Sequence, residues 1–250
     1  MLQNVSMRDP EAILKTTALR PSAIGLRGVK LLLGLDADVL EALAQQCRWR
    51  RFSPGQRVIS REAQDHDVYL IVSGAVRITA FSAAGRQVTF RDIGQGDWFG
   101  DLSAIDGLSR SADVEALEDS LLASMAPAVF RRLLHEHPVV CDRILDRLAN
   151  LVRDLTERVF DFSTLAVQNR VYAEVLRLAK QAGITDNKAT LDPAPKHSDI
   201  ASKVSTYREQ VTRELTTLVK QGLLQRSGKA LVVPDVSKLE KIVSEVRRST

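Results

Sequence analysis

The sequence predicts an α+β fold, in which a β-roll or jelly roll is followed by a long helix and then by a winged helix-turn-helix. Three observations lead to this prediction. Short β-favouring runs alternate with glycine turns between Cys47 and Met125. A narrow apolar stripe with heptad spacing follows between Pro138 and Phe162. Near the end of the chain, two amphipathic segments precede a hairpin-like pair of short runs at 223–233.

The composition is that of an ordinary globular protein. Of the 250 residues, 44% are hydrophobic and 26% are charged, which is enough apolar material for a proper core. No apolar run approaches the length needed to cross a bilayer, and Met1–Arg20 lacks the basic-then-apolar order of a signal peptide. Cys47 and Cys141 stand far apart in unlike contexts. This favours reduced thiols in a cytoplasmic protein over a disulfide framework or a metal cluster.

Positive charge is concentrated in the last third of the chain. From Thr164 onward there are 15 Lys and Arg against 9 Asp and Glu, whereas the first 163 residues hold 20 against 22. A nearly neutral first part and a basic second part indicate that the second part meets a polyanion.

The elements of the first part can be placed in order. The first residues are polar, with a short helix expected around Pro10–Thr17, and a further helix is predicted at Asp36–Gln46. Short, evenly spaced β-favouring runs then predict an antiparallel barrel or jelly roll. The two runs around Gly74-Ala75 form the clearest predicted hairpin. The predicted strands are Arg57–Ile59, Val68–Ser73, Val76–Phe81, Gln87–Ile93, Asp113–Ala116 and Ser120–Ser124.

One segment, 94–112, interrupts this strand rhythm. It inserts one or two helical turns at Asp101–Ile105 after a glycine and continues to Arg110. Free N–H groups at a helix start, together with an arginine that can grip two phosphate oxygens, would form a cradle for an anion. The hydroxyl and N–H of Ser111 would add to that grip. The Asp101 carboxylate suits a ribose or other vicinal hydroxyl, because carboxylates accept hydrogen bonds well.

The residues of this segment resemble the phosphate-binding cassette of cyclic-nucleotide-binding domains, whose usual form is Phe-Gly-Glu-Leu followed by Arg-(Ser/Thr/Ala)-Ala. The resemblance implies that the acidic residue holds the ribose 2′-hydroxyl and that the arginine neutralises the cyclic phosphate. Aspartate here replaces the usual glutamate, which leaves the affinity for the ligand and its identity open. The alternative is a degenerate cassette that binds no nucleotide. The matching residues are Phe99, Gly100, Asp101, Leu102, Arg110 and Ser111.

The long helix predicted at Pro138–Phe162 follows a short helix near Ala128–Glu136. Its apolar stripe reads as a two-stranded seam between identical subunits, and an ordinary amphipathic core helix is the alternative. In cyclic AMP receptor proteins, two adjacent residues of this helix reach the purine across the dimer, and they fall here on Leu155 and Thr156. The stripe consists of Leu145, Leu148, Val152, Leu155, Val159 and Phe162.

The remaining elements predict the winged helix-turn-helix. Thr164–Ala182 is a predicted helix and Asn187–Lys196 a predicted loop. His197–Val204 and Thr206–Gln221 form two helices with Ser205 at the corner. Leu223–Gln225, the turn at 227–229 and Ala230–Val233 then form the wing.

The second of these helices carries the candidate base-reading residues. Arg208 and Arg213 suit guanine edges, and Glu209 suits cytosine N4. The Arg-Glu-x-x-x-Arg order resembles that of cyclic AMP receptor proteins, which read TGTGA-type half-sites. An ion pair between Glu209 and Arg213 is the competing interpretation. Gln210 lies in the same stretch and is included among the DNA-contacting candidates. The predicted phosphate contacts are His197, Ser198, Tyr207 and Lys229.

Together, these patterns identify the chain as a member of the cyclic AMP receptor protein/FNR family. The expected domains are an N-terminal extension (1–30), a cyclic-nucleotide-binding β-roll (31–137), a dimerisation helix (138–163) and a DNA-binding domain (164–250). We expect a cytoplasmic homodimer that binds double-stranded DNA under the control of a cyclic nucleotide, with RNA polymerase as a further partner. No arrangement of catalytic groups or metal ligands is evident, so no enzyme activity is expected. The alternative is a regulator of the same fold that binds DNA without a nucleotide or senses another effector.

Overall fold

The computed structural model describes residues 22–248 of the chain. These residues divide into two compact units. The first runs to Ile78 and resumes at Asp92–Cys141, and the second combines Thr79–Arg91 with the chain from Asp142 onward. The helix predicted at Pro10–Thr17 lies outside the described residues.

The first unit opens with short helices that precede the sheets. Helix α1 (Ala23–Leu26) is capped by Ser22, and a 3₁₀ turn follows at Lys30–Leu32. Helix α2 (Ala37–Gln46) confirms the helix predicted in this region, and it buries Leu40, Leu43 and Ala44 as the spacing of its apolar residues requires.

Eight strands build two four-stranded sheets, which confirm the predicted jelly roll. The strand order is β1-β8-β3-β6 in one sheet and β2-β7-β4-β5 in the other. Apolar side chains from both sheets, among them Ile71, Val76 and Leu122, form one buried cluster. The strands are β1 (Arg48–Phe52), β2 (Arg57–Ile59), β3 (Val68–Ser73), β4 (Ala75–Phe81), β5 (Gln87–Gly94), β6 (Trp98–Phe99), β7 (Asp113–Ala116) and β8 (Ser120–Met125).

The predicted hairpin around Gly74-Ala75 is wrong, because β3 and β4 belong to different sheets. Strand β3 pairs with β8 on one side and with β6 on the other, which leaves no free edge for β4. Gly74 has a φ of +84°, and a Cβ there would lie 2.3 Å from Ser120 Oγ. The chain therefore passes from one sheet to the other at a position that only glycine can occupy.

Helices complete the first unit around the sheets. Helix α3 (Asp101–Asp106) follows β6, and α4 (Pro127–Glu136) follows β8, and both confirm helices predicted at these positions. Arg131 of α4 donates a hydrogen bond from Nε to Ala104 O of α3 at 3.0 Å. This contact ties the two short helices together.

The second unit begins along the long helix α5 (Pro138–Thr164), which confirms the predicted helix and extends it by two residues. Helix α6 (Val167–Ala182) is separate from it. The prediction of one helix from Thr164 is wrong there, because Thr164 still belongs to α5 and the chain leaves helical geometry at Leu165–Ala166.

The helix-turn-helix and its wing follow α6. Strand β9 (Ala189–Leu191) pairs with the second strand of the wing, which corrects the loop predicted at Asn187–Lys196. The wing itself is a hairpin, and Leu223 and Leu224 before it are buried in the core rather than part of a strand. The remaining elements are α7 (His197–Val204), α8 (Arg208–Lys220), β10 (Gln225–Ser227), β11 (Ala230–Val233) and α9 (Val236–Arg248).

The last helix, α9, links two parts of the second unit. It packs on α6 with Val236, Leu239 and Val243 buried. Near its end, Arg247 donates to both carboxylate oxygens of Asp161 on α5, at 3.0 and 2.6 Å, and also to Glu157. None of the helices in the part of the chain from 22 to 248 is long and apolar enough to span a membrane.

Candidate functional site

The segment predicted to bind an anion forms a tight turn between β6 and α3. Gly100 sits at the turn with a φ of +86° and serves as the N-cap of α3. A Cβ on Gly100 would lie 2.7 Å from Asp67 O and 2.8 Å from Arg110 Nη1. Only glycine therefore lets the Arg110 side chain approach the backbone at this point.

Arg110 is the central side chain of this site, and it is only 4% exposed. Its Nη1 donates to Gly100 O at 3.1 Å and to Ser103 Oγ at 2.6 Å. Its Nη2 donates to Asp65 Oδ2 and to Asp67 O, both at 2.7 Å. Its Nε is buried and has no hydrogen-bond partner among the described residues. A guanidinium this deeply buried must be compensated by acceptors, and one of its donors remains available.

Aromatic rings form one wall beside this arginine. Tyr69 on β3 and Phe99 on β6 stack with ring centroids 5.0 Å apart, and the Arg110 guanidinium carbon lies 5.9 Å from the Tyr69 centroid. Burial raises the pKa of the Tyr69 hydroxyl, and the carboxylates of Asp65 and Asp67 raise it further. Tyr69 is therefore a neutral phenol at physiological pH.

The other predicted ligand-binding residues differ in their burial. Phe99 and Asp101 are buried, and Asp101 begins α3. Leu102 and Ser111 are exposed, and no hydrogen bond joins the side chains of Ser111 and Arg110 in the described structure. Leu155 and Thr156 lie in the second unit on an exposed part of α5, where Thr156 Oγ1 donates to Val152 O at 2.9 Å.

Three residues that hold Arg110 were missed by the sequence reasoning: Asp65, Asp67 and Ser103. Asp65 and Asp67 lie in the connection from β2 to β3, and Ser103 lies in α3. The available signal was the pair of aspartates just before a buried strand, 43 and 45 residues from Arg110. Nothing in the local pattern, however, shows that this connection folds over the cassette.

The predicted base-reading residues project from one exposed side of α8. Arg208, Glu209 and Arg213 are exposed, while Val211 and Leu215 are buried as their spacing predicts. In the part of the chain that the structure describes, no ion pair joins Glu209 to Arg213. Both side chains are therefore available on the surface.

Gln210 and Thr212 of α8 each form a side-chain contact within the DNA-binding motif. Gln210 is half-buried, and its Nε2 donates to the buried carboxylate of Glu214 at 2.6 Å. Thr212 is exposed one turn after Arg208, and it was not among the predicted contacts. Its hydroxyl lies 2.7 Å from His197 Nδ1, which joins the first helix of the motif to the second.

The predicted phosphate contacts surround this exposed side. Ser198, Tyr207 and Lys229 are exposed, and Tyr207 is the N-cap residue of α8. Partial burial lowers the pKa of His197, and the charges of Arg226 and Arg208 lower it further. His197 is therefore neutral at pH 7 and sits in a positive field that suits a phosphate. Arg226, on strand β10 of the wing, contributes to this positive field and was not predicted from the sequence.

The apolar stripe of α5 is exposed in a single chain. Five of its six side chains are exposed, with Val152 at 62% and Val159 at 64%, and Leu148 is half-buried. Leu145, Leu155 and Phe162 are also exposed. A contiguous apolar surface of this kind indicates an interaction site rather than an ordinary core-facing helix.

Each of the two parts of the chain matches the model of a known protein family. Residues 49–137 match the family model described as cyclic nucleotide-binding domain, and residues 169–242 match the one described as Crp-like helix-turn-helix domain. The cyclic AMP receptor protein of Thermus thermophilus is 26% identical, with 87% of this chain and 98% of the relative covered. The CRP-like cAMP-activated global transcriptional regulator of Mycobacterium tuberculosis is 25% identical, with 83% and 93% covered.

Solved structures show the same fold. A CooA mutant from Carboxydothermus hydrogenoformans superposes with a TM-score of 0.71 at 20% identity, covering 81% of this chain and 90% of that one. The c-di-GMP responsive global regulator CLP from Xanthomonas campestris gives a TM-score of 0.64 at 23% identity, covering 79% and 99%. These likenesses establish the architecture of the chain but not its effector.

Proposed function

The chain belongs to the cyclic AMP receptor protein/FNR family of transcription regulators, and from this premise we propose that it is a homodimer controlled by cyclic AMP or cyclic GMP. A cyclic-nucleotide-binding domain and a DNA-binding helix-turn-helix are both present in the chain. The finer assignments concern the nucleotide, the DNA half-site and the dimer. Each rests on particular residues.

The observation that carries the nucleotide assignment is the buried guanidinium of Arg110. It lies in a cradle that a Cβ at position 100 would fill, and its Nε keeps a donor without a protein partner in the described structure. These residues fit a phosphate group, because guanidinium donors match phosphate oxygens in geometry and charge. Asp101 would accept from the ribose hydroxyl, and Thr156 of the partner subunit would approach the base. The residues proposed for the ligand site are Phe99, Gly100, Asp101, Leu102, Arg110 and Ser111 of one subunit, with Leu155 and Thr156 contributed by the α5 helix of the other subunit.

The homodimer would be formed by the exposed stripe of α5. Two copies of this helix can bury Leu145, Val152 and Val159 against each other in a two-stranded seam, which supplies the apolar contact that the single chain lacks. Such a dimer is two-fold symmetric, so each subunit would present one copy of α8.

DNA would be read by α8 in the major groove of each half-site. Arg208 and Arg213 would donate to guanine edges, and Glu209 would accept from cytosine N4 in a TGTGA-like sequence. Two half-sites on successive major grooves require α8 and its symmetry mate to stand about 34 Å apart. The nucleotide would favour the arrangement of the α5 pair that gives this spacing.

As a cytoplasmic regulator, the protein would also bind RNA polymerase. The other proposed DNA contacts are His197, Ser198, Tyr207, Gln210 and Lys229.

The test is a DNA-binding titration with and without nucleotide. A fluorescent duplex carrying a TGTGA-like palindrome is titrated with protein, and anisotropy is followed at zero and saturating cyclic AMP or cyclic GMP. We expect at least one nucleotide to tighten binding by about tenfold or more, which corresponds to roughly 1.4 kcal/mol of coupling. Arg110→Ala should remove this response and leave basal DNA binding intact, with circular dichroism as the check on folding.

Two outcomes of this titration would contradict the proposal. Tight binding that neither nucleotide changes would instead favour a constitutive DNA-binding protein or a regulator that senses another effector. An unchanged response in Arg110→Ala would show that the guanidinium does not hold the phosphate.

A further inference from the structure

Of the four acceptors that the described residues place around the Arg110 side chain, only Asp65 carries a charge. Asp65 Oδ2 lies 2.7 Å from Arg110 Nη2 and forms an ion pair with it. The Arg110 side chain is 3% exposed and that of Asp65 is 47% exposed. The carboxylate therefore reaches the buried guanidinium from the solvent side.

The backbone holds Asp65 at this position. Residues 60–67 connect β2 to β3, and two main-chain hydrogen bonds join this connection to the backbone of Arg110. Glu62 N donates to Arg110 O at 2.9 Å, and Arg110 N donates to Ala63 O at 3.1 Å. Asp65 follows Ala63 by two residues, so these hydrogen bonds keep its carboxylate close to Arg110. Because the carboxylate is held by the chain itself, its effective concentration at the guanidinium is high.

A carboxylate and a phosphate compete for the same donors of a guanidinium. Each places oxygens against the N–H groups, and two anions on one buried guanidinium repel each other. We propose that Asp65 is a built-in competitor that occupies Arg110 in the free protein and that the phosphate group of the nucleotide must displace. This inference rests on the proposed function and adds a residue that sets nucleotide affinity.

Asp67 provides a matched control from the same connection. It touches Arg110 only through its main-chain carbonyl. Its carboxylate instead accepts hydrogen bonds from Arg48 Nη2 and Ser124 Oγ, both at 3.2 Å. Asp67→Asn thus removes one negative charge two residues away from Asp65 without removing the acceptor on Arg110.

The experiment is isothermal titration calorimetry of the full chain with cyclic AMP and with cyclic GMP. Wild type, Asp65→Asn, Asp67→Asn and Arg110→Ala are compared in the same buffer. We expect Asp65→Asn to lower the Kd by about tenfold, equivalent to about 1.4 kcal/mol. We expect Asp67→Asn to change the Kd by less than about twofold, because its carboxylate is paired with Arg48 and Ser124 and does not contact Arg110.

The direction of the change separates competition from a positioning role. If Asp65 only held Arg110 in place, Asp65→Asn would weaken nucleotide binding. Unchanged or weaker binding, or equal tightening by Asp65→Asn and Asp67→Asn, overturns the inference and leaves the proposed function standing. Binding by Asp65→Asn where wild type shows none supports it. No binding by wild type or by Asp65→Asn contradicts both the inference and the proposed function.

Discussion

Gly100 and Arg110 show how one backbone conformation allows a charged side chain to be buried. The guanidinium occupies the space that a Cβ at position 100 would need. Its donors then reach the carbonyls of Gly100 and Asp67, which compensate the charge away from water. The glycine of the cassette is therefore required for the position of the arginine, in addition to its role in the turn.

A comparison of two glycines tests this requirement. Gly100 and Gly107 both have positive φ, but of the two only Gly100 has atoms within 4 Å of the place that a Cβ would take. Gly107→Ala should cost about 1–2 kcal/mol of unfolding free energy from backbone strain alone. Gly100→Ala should cost at least about 3 kcal/mol, because overpacking adds to that strain. Urea denaturation followed by circular dichroism measures both, and equal losses would show that Arg110 does not depend on the space at Gly100.

At the scale of single elements, α5 has an apolar surface that the described chain does not cover. We expect Val152→Glu with Val159→Glu to convert the dimer to a monomer, because both charges would be buried in the seam without partners. Light scattering after size exclusion measures the mass. Asn150→Glu, an exposed position outside the stripe, is the matched control and should remain dimeric. A wild-type chain that runs as a monomer would refute the assignment of this surface.

Helix α8 gives the second prediction at this scale. Glu209 is exposed and does not pair with Arg213 in the described structure, so its carboxylate is available to a base edge. We expect Glu209→Ala to relax preference at one base pair per half-site, at a cost of about 1–3 kcal/mol in discrimination.

In vitro selection from a randomised duplex library checks this expectation. Lys220→Ala, which removes an exposed charge at the last turn of α8, is the control and should keep the selected sequence. An identical selected sequence for Glu209→Ala and wild type would mean that Glu209 does not read a base.

At the scale of the whole molecule, the sequence predicts elements better than it predicts their neighbours. Six β-runs lie within one or two residues of observed strands, because short apolar alternation and glycine turns are local signals. Strand β1 was missed, since its buried residues Trp49 and Phe52 are three positions apart and show no strand alternation among the three arginines of Arg48–Phe52. The pairing of β3 with β8 rather than with β4 depends on contacts about fifty residues apart, which local spacing does not encode.

The same limit explains what was missed in the candidate sites. Arg110 could be predicted because the cassette is contiguous in sequence. Asp65 could not, because it reaches Arg110 through a connection whose fold depends on tertiary hydrogen bonds. The hydrogen bond from Gln210 to the buried carboxylate of Glu214 could not be predicted either, because helical spacing does not show that Glu214 is buried.

The contact of Arg247 with Asp161 and Glu157 has a consequence for work in solution. It closes a non-covalent ring across the junction of α5 and α6, and it remains partly open to water, with side-chain exposures of 29% for Arg247 and 15% for Asp161. Dissolved salt screens such a pair and also weakens DNA binding through counterion release. Raising the salt concentration will therefore weaken the Arg247 ion pairs and DNA binding at the same time. The slope of log Kd against log salt concentration will then be steeper for wild type than for Arg247→Gln. The wild-type slope will thus overestimate the number of phosphates that the protein contacts.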